Sequence, residues 1–124
     1  MKQKFLICSH CGNIAALIRD KGVPLWCCGE KMRPLVPGQR EASGEKHIPV
    51  YEVTGSTVHV TVGEAEHPMT QEHYIEWICL ETEHGIQYAH LTPEDKPRAK
   101  FALCDGDEVR AVYAFCNQHD LWRK

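Results

Sequence analysis

The sequence predicts a mainly β protein in two parts, a small metal-held N-terminal segment followed by a larger sandwich of short strands. Three observations carry this. Four of the 7 cysteines fall in the first 28 residues, as Cys8-Ser9-His10-Cys11 and Cys27-Cys28. A run rich in proline and glycine, Pro34-Leu35-Val36-Pro37-Gly38, and the polar stretch Gln39-Arg40-Glu41-Ala42-Ser43-Gly44 then read as a linker or exposed loop. From Ile48 onward the residues are β-branched and aromatic, in short runs punctuated by glycine.

The boundary falls near residues 36–40, giving domains of 1–37 and 38–124. A segment below roughly 40 residues seldom buries a self-sufficient core and usually needs a metal, a disulfide or a partner chain. An odd number of cysteines, 7, argues against a closed disulfide framework. Cys8-x-x-Cys11 sets two sulfurs on one tight knuckle, and a second pair completes a sulfur-only tetrahedron. That second pair is the adjacent Cys27-Cys28, whose side chains ordinarily diverge, so the site is expected to be skewed from a regular tetrahedron. The four cysteines are read as binding one metal. Spacing alone fits zinc and iron equally.

In the second part, Val58-His59-Val60-Thr61-Val62 alternates as a half-buried strand. Tyr74-Ile75-Glu76-Trp77-Ile78-Cys79-Leu80 carries large residues on both faces, as a central strand does. Phe101-Ala102-Leu103-Cys104 and Val109–Phe115 are two more strands, with turns at Gly55, Gly63, Gly85 and Asp105-Gly106-Asp107. Several short strands at this spacing predict a sandwich or small barrel, with immunoglobulin-like topology favoured. No window of helical period competes. Cys79 and Cys104 lie in apolar runs and are read as core residues. His59, His84 and His90 are read as solvated or hydrogen-bonded side chains.

Composition narrows the function classes. Hydrophobic residues at 43% and charged residues at 25% fit neither a disordered chain nor a membrane protein. A net charge of −3 leaves no footprint for nucleic acid or an anionic membrane. Met1-Lys2-Gln3-Lys4 is basic, but the apolar run after it stops at Cys8, too short for a signal-peptide core. The cytoplasm is the expected compartment. There, clustered cysteines mean metal ligation or redox chemistry more often than disulfides.

A second constellation combines histidine with one cysteine. Cys116-Asn117-Gln118-His119 follows a strong strand, and its Cys-x-x-His spacing lets thiolate and imidazole chelate one ion from a single loop. His67-Pro68-Met69-Thr70-Gln71-Glu72-His73 offers two imidazoles across a connection between strands, and His47 stands where the linker enters the second part.

At this point the residues resemble a known family. Cys8-Ser9-His10-Cys11-Gly12-Asn13 with Cys27-Cys28-Gly29 resembles the desulforedoxin-type segment of desulfoferrodoxins. Glu45-Lys46-His47, His67-Pro68-Met69-Thr70 with His73–Ile78, and Cys116-Asn117-Gln118-His119 resemble the catalytic domain of superoxide reductases. The resemblance spans essentially the whole chain, in order. It implies a desulforedoxin-like domain followed by an immunoglobulin-like catalytic sandwich, a homodimer, and two non-haem irons per chain. Cys8, Cys11, Cys27 and Cys28 would hold the first iron. His47, His67, His73 and His119 would form an equatorial plane on the second, with Cys116 as axial thiolate and the opposite face open or taken by Glu45. The implied reaction is one-electron reduction of superoxide to hydrogen peroxide, with a rubredoxin-like donor returning the electron.

Charge arithmetic separates the two implied centres. Four thiolates leave either oxidation state of iron net negative and without a free position, a site that passes electrons but repels superoxide. Four neutral imidazoles and one thiolate leave ferrous iron with a single positive charge and one vacancy, which suits an anion. A strong thiolate donor opposite the vacancy would favour electron transfer and release of peroxide. Lys46 is assigned to electrostatic guidance of superoxide and to ordering a proton-delivering water. Glu45 is assigned to displacing product. Two other readings compete: an electron carrier that uses only the tetrathiolate site, and a zinc-ribbon module on a β-sandwich that serves as an interaction protein.

Overall fold

The computed structural model describes residues 3–40 and 42–124. Met1 and Lys2 of the basic opening and Glu41 of the polar stretch lie outside them. The chain divides into two compact units, residues 1–36 and 37–124.

In the first unit β1 (Lys4–Ile7) pairs antiparallel with β2 (Ile14–Leu17) and with β5 (Arg33–Pro34). A separate hairpin joins β3 (Trp26–Cys27) to β4 (Glu30–Lys31). Among the described residues, the buried hydrophobic side chains of this unit are Phe5, Leu6, Cys8 and Leu35. So few apolar side chains bury little surface, and a metal is the natural source of the missing stability.

The second unit is a sandwich of seven strands. One sheet has the order β10 (Arg98–Ala102), β7 (Thr57–Val62), β6 (Pro49–Thr54). The other has the order β12 (Asp120–Arg123), β11 (Val109–Cys116), β8 (Ile75–Thr82), β9 (Ile86–His90). All pairings are antiparallel, and the chain crosses between sheets after β7, after β9 and again after β10, the Greek-key route of immunoglobulin-like sandwiches. The core lies between the sheets: Val58, Val60 and Val62 of β7 and Phe101 of β10 meet Ile78, Leu80, Val112 and Ala114. β8 and β11 are the inner strands of their sheet and are buried nearly throughout, which explains why their sequences lack clean alternation. Trp77 and Phe115 stack across them, ring centroids 5.4 Å apart.

Cys79 is buried on β8, but Cys104 is exposed, contrary to the core reading. β10 ends at Ala102; Phe101 is buried and Leu103 still packs against the core, but Cys104 opens the following turn, its carbonyl accepting from Asp107 N at 3.0 Å. His59, His84 and His90 are exposed. One helical turn, α1 (Gly44–His47), precedes β6 and is too short to leave a periodic signal. No helix among the described residues is long and apolar enough to cross a membrane.

Register decides where the loops meet. Pro49 pairs with Val62 and Ile75 with Cys116. The start of β6, the end of β7, the start of β8 and the end of β11 therefore share one end of the sandwich. A β-bulge between Phe115 and Cys116 skips Glu76 and sets Cys116 opposite Ile75.

Candidate metal centres

The first cluster is Cys8, Cys11, Cys27 and Cys28, whose sulfurs all lie within 4.8 Å of one another. Cys8 N donates to Asn13 O at 2.9 Å and Gly12 N to Cys8 O at 3.1 Å, which closes the β1–β2 knuckle. The amides of His10 and Cys11 each donate to Cys8 Sγ at 3.4 Å, and Asn13 N donates to Cys11 Sγ at 3.4 Å. The amides of Cys11 and His10 draw the Cys8 thiol down to about 6. The second pair sits on the β3–β4 hairpin. Cys28 and Gly29 form its two-residue loop with φ of 54° and 74°, positive at both positions as in a type I′ turn. In extended backbone, neighbouring side chains point to opposite faces. The left-handed Cys28 breaks that alternation, and the Cys27 and Cys28 sulfurs stand 4.0 Å apart. Cys11 and Cys27 sulfurs are 3.6 Å apart. Four sulfurs about 2.3 Å from one ion lie about 3.8 Å apart at a tetrahedron's edges, so the cluster fits a single metal. Proton affinity agrees: hydrogen bonding with the Cys11 and Cys8 sulfurs pushes Cys28 up to about 12. Four thiolates here need a cation.

The second cluster is His47, His67, His73 and Cys116, again with donor atoms within 4.8 Å of one another. His119 stands outside this tightest group, with Nδ1 3.1 Å from His47 Nε2 and 3.8 Å from Cys116 Sγ. Ring centroids trace a closed circuit: His47–His67 4.6 Å, His67–His73 4.7 Å, His73–His119 5.2 Å and His119–His47 4.8 Å, each edge-on, with His47–His73 at 6.2 Å across it. His47 Nδ1 donates to Ser43 O and His67 Nδ1 to Pro68 O, both at 2.7 Å. These bonds fix the tautomer with bare lone pairs on the two Nε2 atoms, which nevertheless face each other at 3.2 Å. Burial is the main force lowering the proton affinity of His47, His67 (to about 4) and His73, so a proton is a poor occupant of that space. His73 Nε2 is buried with no hydrogen-bond partner. A cation resolves both anomalies. Nitrogens about 2.1 Å from one metal stand about 3.0 Å apart at right angles, close to the two N···N distances of 3.1 and 3.2 Å.

Cys116 is fully buried, and burial raises its thiol while the amides of Gln118 and His119 pull the other way. Glu45 and Lys46 are exposed on α1 and are not in the ligand cluster. The Lys46 charge nevertheless reaches His47 and His73, depressing the proton affinity of both. The Glu45 carbonyl accepts from Glu64 N at 2.8 Å and Ala65 N at 3.3 Å, which ties this turn to the end of β7.

The family model described as Desulfoferrodoxin matches residues 39–124. The chain belongs to the desulfoferrodoxin family. It is 42% identical to a desulfoferrodoxin of Nitratidesulfovibrio vulgaris, over 94% of this chain and 90% of that one. It is 39% identical to a desulfoferrodoxin of Clostridium acetobutylicum, over 94% and 91% of the respective chains. Among solved structures it resembles the superoxide reductase from Treponema pallidum, with a TM-score of 0.85 and 39% identity over 100% of this chain and 99% of that one. Desulfoferrodoxin membership implies iron for the four-cysteine cluster and for the histidine–cysteine cluster.

Residue reading overlooked the groups that orient the ligands. Trp122 packs on the His47 ring at 4.9 Å and donates from Nε1 to His119 O at 3.1 Å. Arg40 Nη2 donates to Gln118 O at 3.4 Å, and its Nη1 lies 3.5 Å from Asp120. Asn117 and Gln118, within the Cys-x-x-His run, bond to the backbone beside His73. The only sequence signal for these was that Asn117 and Gln118 separate two ligands.

Proposed function

We propose that this desulfoferrodoxin is a superoxide reductase: one electron and two protons convert superoxide to hydrogen peroxide, without dismutation to oxygen. The observation that carries the reading is the circuit of four imidazoles around one point, with the His47 and His67 lone pairs held inward by outward Nδ1–H bonds and Cys116 in reach of all four. The name of the Treponema pallidum structure supports the same activity. Iron bound by His47, His67, His73, His119 and Cys116 supplies the reducing electron. The chain's residues do the rest. Neutral imidazoles would leave the site positive enough to attract an anion, and the buried Cys116 sulfur would be the one thiolate donor among its ligands. Lys46, exposed beside His47, draws superoxide to the site and orders the water that delivers a proton. Glu45, on the same exposed turn, would compete with product for the site and so displace it.

Cys8, Cys11, Cys27 and Cys28 hold a second iron that stores an electron from a rubredoxin-like donor, the surface-exposed Cys11 and Cys28 being the points of entry. Exposed Ile18, Val23 and Trp26 suit pairing with a second copy in a homodimer, and cysteines used as metal ligands rather than in disulfides suit the cytoplasm. The test is metal analysis of chain from iron-supplied cells, followed by pulsed superoxide with peroxide and oxygen measured together. Two irons per chain and peroxide without oxygen are expected. Zinc alone, or oxygen evolved beyond that of spontaneous dismutation in a protein-free control, overturns the reading.

A further inference from the structure

We propose that Asn117 is a positioning residue for His73: its side-chain amide docks the Cys116–His119 turn onto the backbone of residues 72–74, and so sets where the His73 imidazole stands relative to Cys116 and His119. Both ends of the amide are engaged. Tyr74 N donates to Asn117 Oδ1 at 3.0 Å, and Asn117 Nδ2 donates to Glu72 O at 3.1 Å. The backbone joins in, with Asn117 N donating to Tyr74 O at 3.2 Å, and Gln118 Nε2 donates to the same Glu72 carbonyl at 2.6 Å. His73 is the residue between these anchor points.

The need is specific to His73. His47 and His67 each have a carbonyl bonded to Nδ1 that orients the ring. The His73 ring has no hydrogen bond among the described residues, and its Nε2 is buried without a partner. Its direction must come from its backbone. Thr70 holds that backbone locally, donating from N to His73 O at 2.9 Å, but a local turn carries no information about Cys116. Asn117 supplies it, because one short amide offers an acceptor and a donor at the spacing of a backbone N–H and the C=O two residues earlier. Aspartate keeps only the acceptor, and alanine keeps neither.

This inference rests on reading the histidine–cysteine cluster as an iron site. Asn117→Ala and Asn117→Asp are compared with wild type in the full iron-loaded chain. Chelator-driven iron release from the second centre is expected to quicken about 10–100-fold in Asn117→Ala, the usual effect of losing an outer support, and less in Asn117→Asp. The Cys116 thiolate-to-iron absorption is expected to shift, while release from the four-cysteine centre stays unchanged as internal control. Wild-type release and absorption in Asn117→Ala overturn the proposal; if that variant does not fold, wild-type behaviour of Asn117→Asp does so. Hydrogen exchange at the Tyr74 amide, with and without iron, is expected to quicken in Asn117→Ala. Wild-type protein that holds no iron at this cluster counts against the iron reading instead, and the exchange measurement then decides the positioning role alone.

Discussion

Gly63 closes β7 at φ +85°, and a β-carbon added there would stand 2.4 Å from Ala65 O and 2.6 Å from Lys46 O. Both neighbours are backbone, which cannot swing aside as a side-chain tip can. Restoring ordinary contact moves the Lys46 carbonyl by about 0.8 Å and the Ala65 carbonyl by about 1 Å. Gly63→Ala thus incurs about 1–2 kcal/mol for alanine in left-handed backbone and about 1–3 kcal/mol more for overpacking. Gly106, at φ +83° with nothing within 4 Å of an added β-carbon, isolates the first contribution. In a unit this size 1 kcal/mol lowers Tm by about 4–8 °C. Gly106→Ala is therefore expected to melt about 4–16 °C below wild type, and Gly63→Ala at least about 4 °C lower again. Thermal unfolding of the two iron-loaded variants, followed by circular dichroism, measures the difference. The α1 turn that would shift carries Lys46 and His47, and a misplacement near 1 Å can cost about 100-fold in rate. Gly63→Ala is expected to react slowly with superoxide and Gly106→Ala normally. Equal melting temperatures for the two variants would refute the steric argument.

Three further outcomes are expected. Lys46→Ala slows association with superoxide several-fold and flattens its dependence on ionic strength; an unchanged rate and salt slope in stopped-flow measurements removes Lys46 from substrate guidance. Cys116→Ser abolishes the visible thiolate-to-iron absorption of the second centre and spares that of the first, so parallel loss of both bands contradicts their independence. Iodoacetamide modifies the exposed Cys104 of the iron-loaded chain and spares Cys79, which is fully buried and pushed up to about 12 by burial; peptide mass spectrometry showing Cys79 modified before unfolding contradicts this.

What could be read from the residues depended on how local the cause was. Val58–Val62 declares itself because alternation follows directly from a sheet with one face in the core. β6 does not, since Tyr51 and Val53 are exposed apolar residues on an outer strand and blur the pattern. Cys104 was misread because Phe101-Ala102-Leu103 extends the apolar run past the end of β10, where only tertiary packing stops the strand. The cysteine knuckle is written in its own spacing, but the means of converging Cys27 and Cys28 is the left-handed loop residue, which no rule of cysteine spacing specifies. The bonds from Asn117 to the 72–74 segment span more than 40 positions and involve main-chain partners, so nothing in the side chains of that segment announces them.

The two clusters differ in how much chain they recruit. All four sulfurs of the first come from residues 8–28, on two neighbouring hairpins. The second gathers residues 47, 67, 73 and 116, which meet only because strand register brings four loop ends to one rim of the sandwich. During synthesis the first centre can therefore load its metal while the sandwich is still emerging, whereas the second has no pocket until β11 has docked beside β8. A metal captured there would come last and close loops of 20, 6 and 43 residues between successive ligands at once, a clasp that favours chains already correctly folded.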